Sequence, residues 1–426
     1  MTVPPSSSSP SDANAVLVAA TVSLALFAAA WTALHHGFLE RDQIVDTPVY
    51  EKYGDAMARG EVPYRDFSLE YPPGALPFFV IPALGHEDDL DAFDRTFGAL
   101  MWACGALALL AMAAALAALR APPRRAFGAL ALAAVAPLLL GSIVLTRFDY
   151  WPAALAVGAV AALVGGRLRI GHALLGAGIA AKIWPGVLVP LAFAYVWRTR
   201  GRREALLCLA VAVAVVLAIV LPFFVLAPGG VWDSVARQTT RPLQIESLGA
   251  ALLVASHHVF GTSAHMVSGH GSQNLGGTTA DVVGAIQSVL QIAVLLAIWI
   301  VFARRERTRE ELVQASAAAV VAFVALGKVL SPQFLIWLIP LVPLVRSRLA
   351  WLLFALALLW TQGWFPRHYW DYALRFASTQ SWLVLMRDVL LVVLLVVLLV
   401  PDRGVRRRVG PEAAASGRRR ASSSPA

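Results

Sequence analysis

Residues 204–227 read EALLCLAVAVAVVLAIVLPFFVLA, and this apolar run indicates a membrane-spanning helix. After its first residue it carries no charge, and a helix of this length crosses the roughly 30 Å hydrocarbon core of a bilayer. Similar apolar runs recur along the chain of 426 residues, in which 58% of the residues are hydrophobic and only 14% are charged. Because soluble proteins carry about 25% charged residues, this composition excludes a disordered chain, a coiled coil and an ordinary cytosolic enzyme. The sequence predicts an all-α polytopic membrane protein.

The apolar runs predict about twelve transmembrane helices. The first begins near Ala15 after a Ser- and Pro-rich segment without basic residues, so we expect it to be retained rather than cleaved as a signal peptide. The expected spans are 15–36, 95–119, 126–146, 150–166, 171–182, 184–197, 204–227, 281–303, 313–328, 332–345, 349–363 and 381–400. Four of them are too short to cross alone and require broken helices that their neighbours shield. Both cysteines, Cys104 and Cys208, fall inside apolar runs, which excludes a disulfide framework.

The positions of the arginines predict the orientation of the spans. With the N-terminus in the cytoplasm, the N-terminal segment, the inner loops and the C-terminal tail together hold 22 of the 35 Lys and Arg residues but only seven of the 26 acidic residues. By the positive-inside rule, both termini lie in the cytoplasm, and we expect the bacterial plasma membrane as the location. A single transmembrane domain, residues 15–400, is expected between a disordered N-terminus, 1–14, and a disordered Arg-rich tail, 401–426, that contacts anionic lipid.

Three outer segments are too long to be simple connectors: residues 37–94, 228–280 and 363–380. Loops of this length are uncommon unless they are functional. We therefore expect the chemistry of the protein on the extracytoplasmic face of the membrane.

The first outer loop contains RDQIVDTPVYEKYGDAMARGEVPYRDFSLEYPPGALPFF, residues 41–79. It predicts a short helix over 46–58, with Pro48 in the first turn and Tyr50 on a face that lies along the membrane interface. Asp46 stands at the start of this helix, close to the exit of the first span, where a carboxylate is a candidate general base. The alternative is an acid that caps the helix or is solvated.

Isolated cations at the outer turns form a second group of candidates. Lys182 in AAKIWPG and Lys328 in LGKVLSPQF each stand between two short spans, just before a proline. Ionisable residues at membrane depth are usually functional, so both are predicted to bind an anionic group such as a phosphate. The alternative is snorkelling of the amine to the interface. Arg147 and Asp149, in TRFDYWP, lie at a third outer turn.

The second outer loop contains RQTTRPLQIESLGA, residues 237–250. Its polar residues Arg241, Gln244 and Glu246 indicate either a sugar or phosphate site or a solvated amphipathic helix. His368, in WFPRHYWDY, belongs to an aromatic belt or to a surface on which a sugar stacks. Four histidines follow the polar cluster at a spacing that fits no standard zinc site: His257, His258, His265 and His270.

Motifs for nucleotide chemistry are missing from the sequence. It has no Walker loop, no GxGxxG after a strand and no GxSxG elbow. The net charge of +9 would favour nucleic acid in a soluble protein, but here the arginines follow the membrane topology. We expect no cofactor, no bound metal and no nucleic-acid partner. A transferase outside the cytoplasm has no nucleotide sugar available, so a sugar donor would arrive on a lipid.

Four segments resemble glycosyltransferase family 87: IVDTPVYEKYGDAMARGEVPYRDFSLEYPP, GRLRIGHALLGAGIAAKIWPGVLVPLAF, RPLQIESLGA and KVLSPQFLIWLIPL. These are membrane enzymes with the GT-C fold that transfer mannose from polyprenyl-phosphate-mannose. The resemblance implies transfer of a hexose, with mannose as the first candidate, to a lipid or cell-envelope glycan acceptor. The transfer inverts the configuration at the anomeric carbon.

The resemblance also implies roles for particular residues. In the family an Asp at the start of the first outer loop is the base, followed after three residues by Tyr, which matches Asp46 and Tyr50. Asp42, one helical turn away, is the local competitor, and Asp149 is a further alternative. Lys182, Lys328, Arg147 or Arg241 would hold the departing polyprenyl phosphate, without a strict need for metal. The remaining predicted substrate-binding residues are Gln244, Glu246 and His368.

Two other classes of protein fit some of the same features. A twelve-span secondary transporter or lipid-linked-sugar flippase also has broken helices with central charges, but the acid-rich outer loops and the absence of an internal repeat disfavour it. A catalytically dead scaffold would turn Asp46 away from any cavity. The sugar, the linkage, the acceptor, the need for a divalent metal, the polyprenyl length and the oligomeric state stay open.

Overall fold

The structure of the chain, a computed structural model, describes residues 10–35, 44–269 and 271–400, with only the backbone of 10–13, 238 and 239. The α-helices of these residues are α1 Pro10–Leu34, α2 Thr47–Ala58, α3 Pro77–Ala83, α4 Leu90–Ala118, α5 Pro123–Leu140, α6 Tyr150–Val164, α7 Leu168–Ala181, α8 Val189–Arg200, α9 Arg202–Leu226, α10 Pro228–Thr239, α11 Leu248–Phe260, α12 Thr278–Ala303, α13 Arg309–Ala325, α14 Arg348–Gln362, α15 Tyr369–Arg375 and α16 Ser378–Leu399. Short 3-10 turns cover Pro73–Ala75, Ser142–Leu145, Trp184–Leu188, Pro332–Leu338 and Val342–Leu344. Two strands, β1 Met266–Gly269 and β2 Ser272–Leu275, form an antiparallel hairpin.

The predicted helical membrane fold is confirmed. Every one of the twelve expected spans coincides with a helical segment, and six helices are long and apolar enough to cross a membrane. The remaining spans are short, as expected, and two of them run into 3-10 turns at Trp184–Leu188 and Pro332–Leu338. The helix α1 begins at Pro10, several residues before the expected start. The tail 401–426 and residues 1–9 lie outside the described residues.

The helices differ widely in how much of their surface is buried by neighbouring helices. The residues of α6 are nearly all buried, because alanine, glycine and valine let the neighbouring helices α4 and α7 approach closely. Most of α13 is buried too. In contrast, α9 buries only Ala205, Cys208 and Ala212. A helix that is apolar all round and exposed to this extent faces lipid.

The arginine-rich turns meet at one end of the bundle. The Arg125 guanidinium donates hydrogen bonds of 2.5 and 2.8 Å to the Glu310 carboxylate, which joins the start of α5 to the start of α13. Arg309 donates to the carbonyl of Ala118 at 3.0 Å, at the end of α4. The first outer loop is connected to the opposite end of α4.

The second outer loop is more structured than its composition predicts. Residues 241–247 are not helical; instead Leu243 and Ile245 exchange backbone hydrogen bonds with β2, at 3.0 Å each. On the other side, the N–H of Gln244 donates to the carbonyl of Lys328 at 2.9 Å. The amphipathic helix considered for this segment does not form. The polar residues of this segment are therefore held on a backbone that is paired on two sides.

A close contact between α2 and α3 supports the first outer loop. A Cβ at Gly54 would lie 2.2 Å from the carbonyl oxygen of Phe79 and 2.8 Å from the Cβ of Ala83. The face of α2 that carries Tyr50 thus packs against protein, rather than lying on the membrane interface as predicted.

We expect Gly54→Ala to lower the stability of the protein. Overpacking costs about 1–3 kcal/mol, which exceeds the roughly 1 kcal/mol that alanine adds in helix propensity. The thermal midpoint in detergent measures the change. The matched control is Gly98→Ala in α4, where a Cβ meets nothing within 4 Å and the midpoint should rise. Equal effects of the two variants would contradict the close contact.

Candidate active site

The first outer loop folds into a short helix that begins directly after Asp46. Pro48 lies in the first turn of α2, where a missing N–H breaks no helical hydrogen bond. Gly60, with a φ of +88°, follows the end of the helix. The Tyr50 ring is fully buried one turn into the helix and stacks on Phe79 at 4.6 Å between ring centroids. This packing sets the position of Asp46.

The Asp46 carboxylate does not cap its own helix. Its Oδ2 lies 3.1 Å from Nε of Arg147 and accepts a hydrogen bond from the Tyr50 hydroxyl at 3.3 Å. Oδ1 has no partner among the described residues, and the side chain is 30% exposed. One oxygen is therefore held by the protein, while the other is open to a ligand.

Arg147 connects three parts of the chain around this carboxylate. Its side chain is only 3% exposed. Beside this ion pair, the Nε–H donates to Oε1 of Gln333 at 3.2 Å, and Nη2 donates to the carbonyl of Ile44 at 3.2 Å. Charge-assisted hydrogen bonds of this kind fix the planar guanidinium and its carboxylate partner in one orientation. The first outer loop, the turn before α6 and the segment after α13 thus meet at Asp46.

A second cation, Arg241, interacts with two carboxyl groups of the outer loops. Burial raises the pKa of Glu70; attraction to Arg241 opposes this rise, and repulsion from Asp46 adds to it. Arg241 also interacts with Glu246. The Nε of Arg241 is buried and donates to no described residue. Because an unpaired buried guanidinium N–H is costly, this position favours an anionic ligand.

Glu246 is a buried carboxyl at the end of the paired segment. Burial raises its pKa to about 7, and Arg387, the Gln244 side chain and Arg241 oppose the rise. The side chain of Tyr369 interacts with Glu246, and Tyr369 in turn interacts with Arg147. Near neutral pH the Glu246 carboxyl can therefore donate as well as accept a hydrogen bond.

We expect the stability of the protein to fall as the pH rises from 5 to 8, in part because of Glu246. Its pKa is higher in the folded chain than the ordinary value of 4.5, so the folded state binds more protons between these values and loses stability as the pH rises through about 7. The contribution is on the order of 3 kcal/mol, at about 1.4 kcal/mol per pKa unit.

The check is a series of thermal midpoints against pH. Glu246→Gln should flatten the profile and raise the midpoint at pH 8. The control Glu61→Gln, at an exposed carboxyl, should keep the profile of the wild type. A Glu246→Gln profile parallel to the wild type would exclude this carboxyl as the source of the pH dependence.

Lys182 is paired within the protein. Its amine lies 2.6 Å from Oδ1 of Asp149, which also accepts a hydrogen bond from the Trp337 indole at 2.5 Å. The ring of Phe148 lies 4.7 Å from the amine and, on another side, packs edge-on against Tyr50. Lys182 thus lies behind the site, with its charge balanced by a carboxylate.

The other two predicted residues take different positions. The carbonyl of Lys328 accepts the hydrogen bond from the N–H of Gln244 that fixes the second outer loop. Lys328 is half-buried, and its side-chain amine makes no hydrogen bond or ion pair to the described part of the chain. His368 lies beside Asp371, at 3.3 Å, with 42% of its side chain exposed. The neighbouring Tyr369, not His368, contacts Glu246.

Four residues that the sequence pattern does not single out also lie at the site: Glu70, Tyr71, Gln333 and Tyr369. The Tyr71 hydroxyl lies 3.5 Å from that of Tyr50. The only signal for all four is their place inside segments quoted above, LEYPP, LSPQF and WFPRHYWDY. The competitor Asp42 lies outside the described residues, as does His270. Among the described residues, no group of three or more His, Cys, Asp or Glu side chains is placed to hold a metal ion.

A family model identifies the type of molecule. The model of glycosyltransferase family 87 matches residues 69–332, more than half of the chain. The match contains the four predicted phosphate-binding residues and begins after Asp46. Among solved structures, the chain is similar to the oligosaccharyltransferase of Archaeoglobus fulgidus in its apo form, with 13% identity and a TM-score of 0.44. The similarity covers 92% of this chain and only 57% of that one. The search of curated proteins gave no match.

Proposed function

The chain belongs to glycosyltransferase family 87, and from this premise we propose that it transfers a hexose from a polyprenyl-phosphate-sugar donor. Mannose is the first candidate sugar, and the acceptor is a lipid or a cell-envelope glycan on the extracytoplasmic face. The observation that supports this proposal best is the Asp46 carboxylate. One of its oxygens is held by Arg147 and Tyr50, and the other is open.

In the proposed reaction Asp46 acts as the general base. The acceptor hydroxyl attacks C1 of the donor sugar from the side opposite to the phosphate, while Oδ1 of Asp46 takes the hydroxyl proton. The new glycosidic bond forms as the bond from C1 to the phosphate oxygen breaks, so the anomeric configuration inverts. Polyprenyl phosphate leaves with both electrons of that bond and gains one negative charge. Arg147 and Tyr50 orient the base throughout.

The growing charge on the leaving phosphate needs a cation, and Arg241 is the strongest candidate. Its buried Nε is without a protein partner among the described residues, and a preorganised donor stabilises developing charge better than water does. Lys328 is the second candidate, since its amine is unpaired in the described chain. Arg147 contributes positive potential, but its donors are already engaged. Lys182 would act only after separating from Asp149.

Short helices support a donor that arrives from the membrane. The helices α6 and α7 have 15 and 14 residues, or roughly 21–23 Å at 1.5 Å per residue, against roughly 30 Å of hydrocarbon. The turns before α6 and after α7, which carry Arg147 and Lys182, would then lie below the outer surface of the bilayer. A lipid-linked sugar could reach them without leaving the membrane.

The proposed location follows from the two ends of the bundle. Short turns rich in arginine lie at one end and the acid-rich loops with the candidate site at the other. By the positive-inside rule the arginine end faces the cytoplasm of the plasma membrane, with both termini. The site would then open to the outside.

Sugar transfer in proteoliposomes tests the proposed function. The purified chain is supplied with extracted membrane acceptors and either radiolabelled polyprenyl-phosphate-mannose or radiolabelled GDP-mannose. We expect covalent transfer of label from the lipid donor alone. Transfer from GDP-mannose would contradict the proposal that the sugar donor is lipid-linked. Movement of labelled lipid between leaflets without covalent transfer would instead support the transporter or flippase.

A further inference from the structure

A large apolar groove lies far from Asp46, at the arginine-rich end of the bundle. It is a groove of about 1170 Å³, larger than the 300–1,000 Å³ of most small-molecule pockets. The helix α13 forms its floor, because both α12 and α16 pack against α13. The walls are apolar and include Val294, Ile298, Val301 and Val397.

Three arginines stand at the mouth of this groove. Arg305 and Arg307 share the single carboxylate of Glu311, at 2.7 and 3.1 Å. Arg346 is exposed and has no hydrogen bond or ion pair to the described part of the chain. The other acid of the groove, Glu310, is engaged by Arg125. The mouth therefore carries two positive charges that no carboxylate of the groove balances.

The surroundings limit what can fill this groove. It runs between membrane helices, and α12 exposes large apolar residues such as Ile292, Leu296 and Ile300 along its length. Acyl chains are the apolar molecules present there, and the unbalanced arginines lie where helix ends reach the headgroups. Basic pockets between membrane helices bind anionic headgroups by the same electrostatics.

We propose that the groove between α12 and α16 binds one phospholipid with an anionic headgroup. The acyl chains lie along the walls of α12 and α16, and the phosphate contacts Arg346 and Arg305. This site is independent of the sugar-transfer reaction, since it shares no residue with the candidate active site. A bound lipid joins α12, α13 and α16 at the end of the bundle opposite to that site.

Lipid titrations of the detergent-solubilised full chain, followed by native mass spectrometry, test the proposal. The probes are phosphatidylglycerol, which is anionic, and phosphatidylcholine, which has no net charge. We expect tighter binding of phosphatidylglycerol. Arg305→Gln with Arg346→Gln should weaken it roughly 25-fold, since one basic residue contributes about 1 kcal/mol, or about fivefold.

Two further variants separate the groove from a general effect of charge. Ala297→Trp places a large ring among the lining residues and should weaken binding of phosphatidylglycerol without changing any charge. Arg124→Gln, at an exposed arginine of the same end outside the groove, should leave binding within twofold of the wild type.

Several results would overturn the proposal. Equal affinity for the two lipids would remove the headgroup selectivity, and equal losses in Arg124→Gln and the double variant would indicate non-specific attraction. Unchanged binding in Ala297→Trp would move the lipid out of the groove. A chain that ends at Val400 and binds phosphatidylglycerol tenfold more tightly would assign the groove to the protein's own tail.

Discussion

Replacing Asp46 with Asn should lower the rate of sugar transfer by about 10²–10⁴-fold, which is the usual contribution of a general base. The amide keeps the shape of the carboxylate and can still accept a hydrogen bond from Tyr50, but it cannot take the proton of the acceptor hydroxyl. The measurement is initial transfer of radiolabelled sugar from the lipid donor at matched expression. The loss should fall on the turnover rate more than on donor affinity.

Controls separate loss of the base from loss of the ion pair with Arg147. Asp66→Asn, at an exposed carboxylate of the same loop paired with Arg65, should keep full activity. Thermal midpoints should show that Asp46→Asn remains folded. Full activity in Asp46→Asn would exclude this residue as the base. Asp42 and Asp149 would then be the remaining candidates for the general base.

Replacing Asp149 with Asn should destabilise the protein by about 3–5 kcal/mol, because it leaves a charged partner uncompensated. Asp149 is fully buried, and its carboxylate holds both the Lys182 amine and the Trp337 indole. An amide oxygen can still accept from the indole but does not balance the amine. The free energy of unfolding in a mild detergent measures the loss, and Asp66→Asn is the surface control.

A second substitution tests whether the loss comes from the unpaired amine. Lys182→Met added to Asp149→Asn should restore most of the stability, because a buried pair replaced by apolar groups is often neutral. If the double variant is stable but inactive, Lys182 or Asp149 has a role in the reaction beyond stability. A double variant as unstable as Asp149→Asn alone would contradict the ion pair as the cause.

Local patterns predict the elements of this fold well. The helix after Asp46 could be predicted because Pro48 and Gly60 set its two ends through their own backbone restrictions. The short spans around Lys182 and Lys328 could be predicted in the same way, because Pro185 and Pro332 interrupt the apolar runs there. Such signals lie within a few residues of one another, so no tertiary contact is needed to interpret them.

The candidate site shows the limit of such patterns. Charge and position in the chain indicate Lys182 as a phosphate ligand, but its partner Asp149 is reached only when α6 and α7 pack together. Similarly, His368 and Tyr369 are neighbours in an aromatic segment, and only the packing of α15 decides that Tyr369 faces Glu246. Nothing in the sequence alone distinguishes the two.

Sequence patterns alone predict a helical membrane protein, which is confirmed, and they locate the acid-rich loop that carries Asp46. The twelve membrane crossings remain a prediction, because six helices of the described residues are long and apolar enough to span a bilayer. Hydrophobicity and the restrictions of proline and glycine act locally, so they can be recognised without knowing the fold. In contrast, helix packing is needed for Arg147 and Tyr50 to hold one oxygen of Asp46 while the other stays open. Such an arrangement depends on contacts between residues up to 186 positions apart, such as Arg147 and Gln333, and these form only when the helices pack.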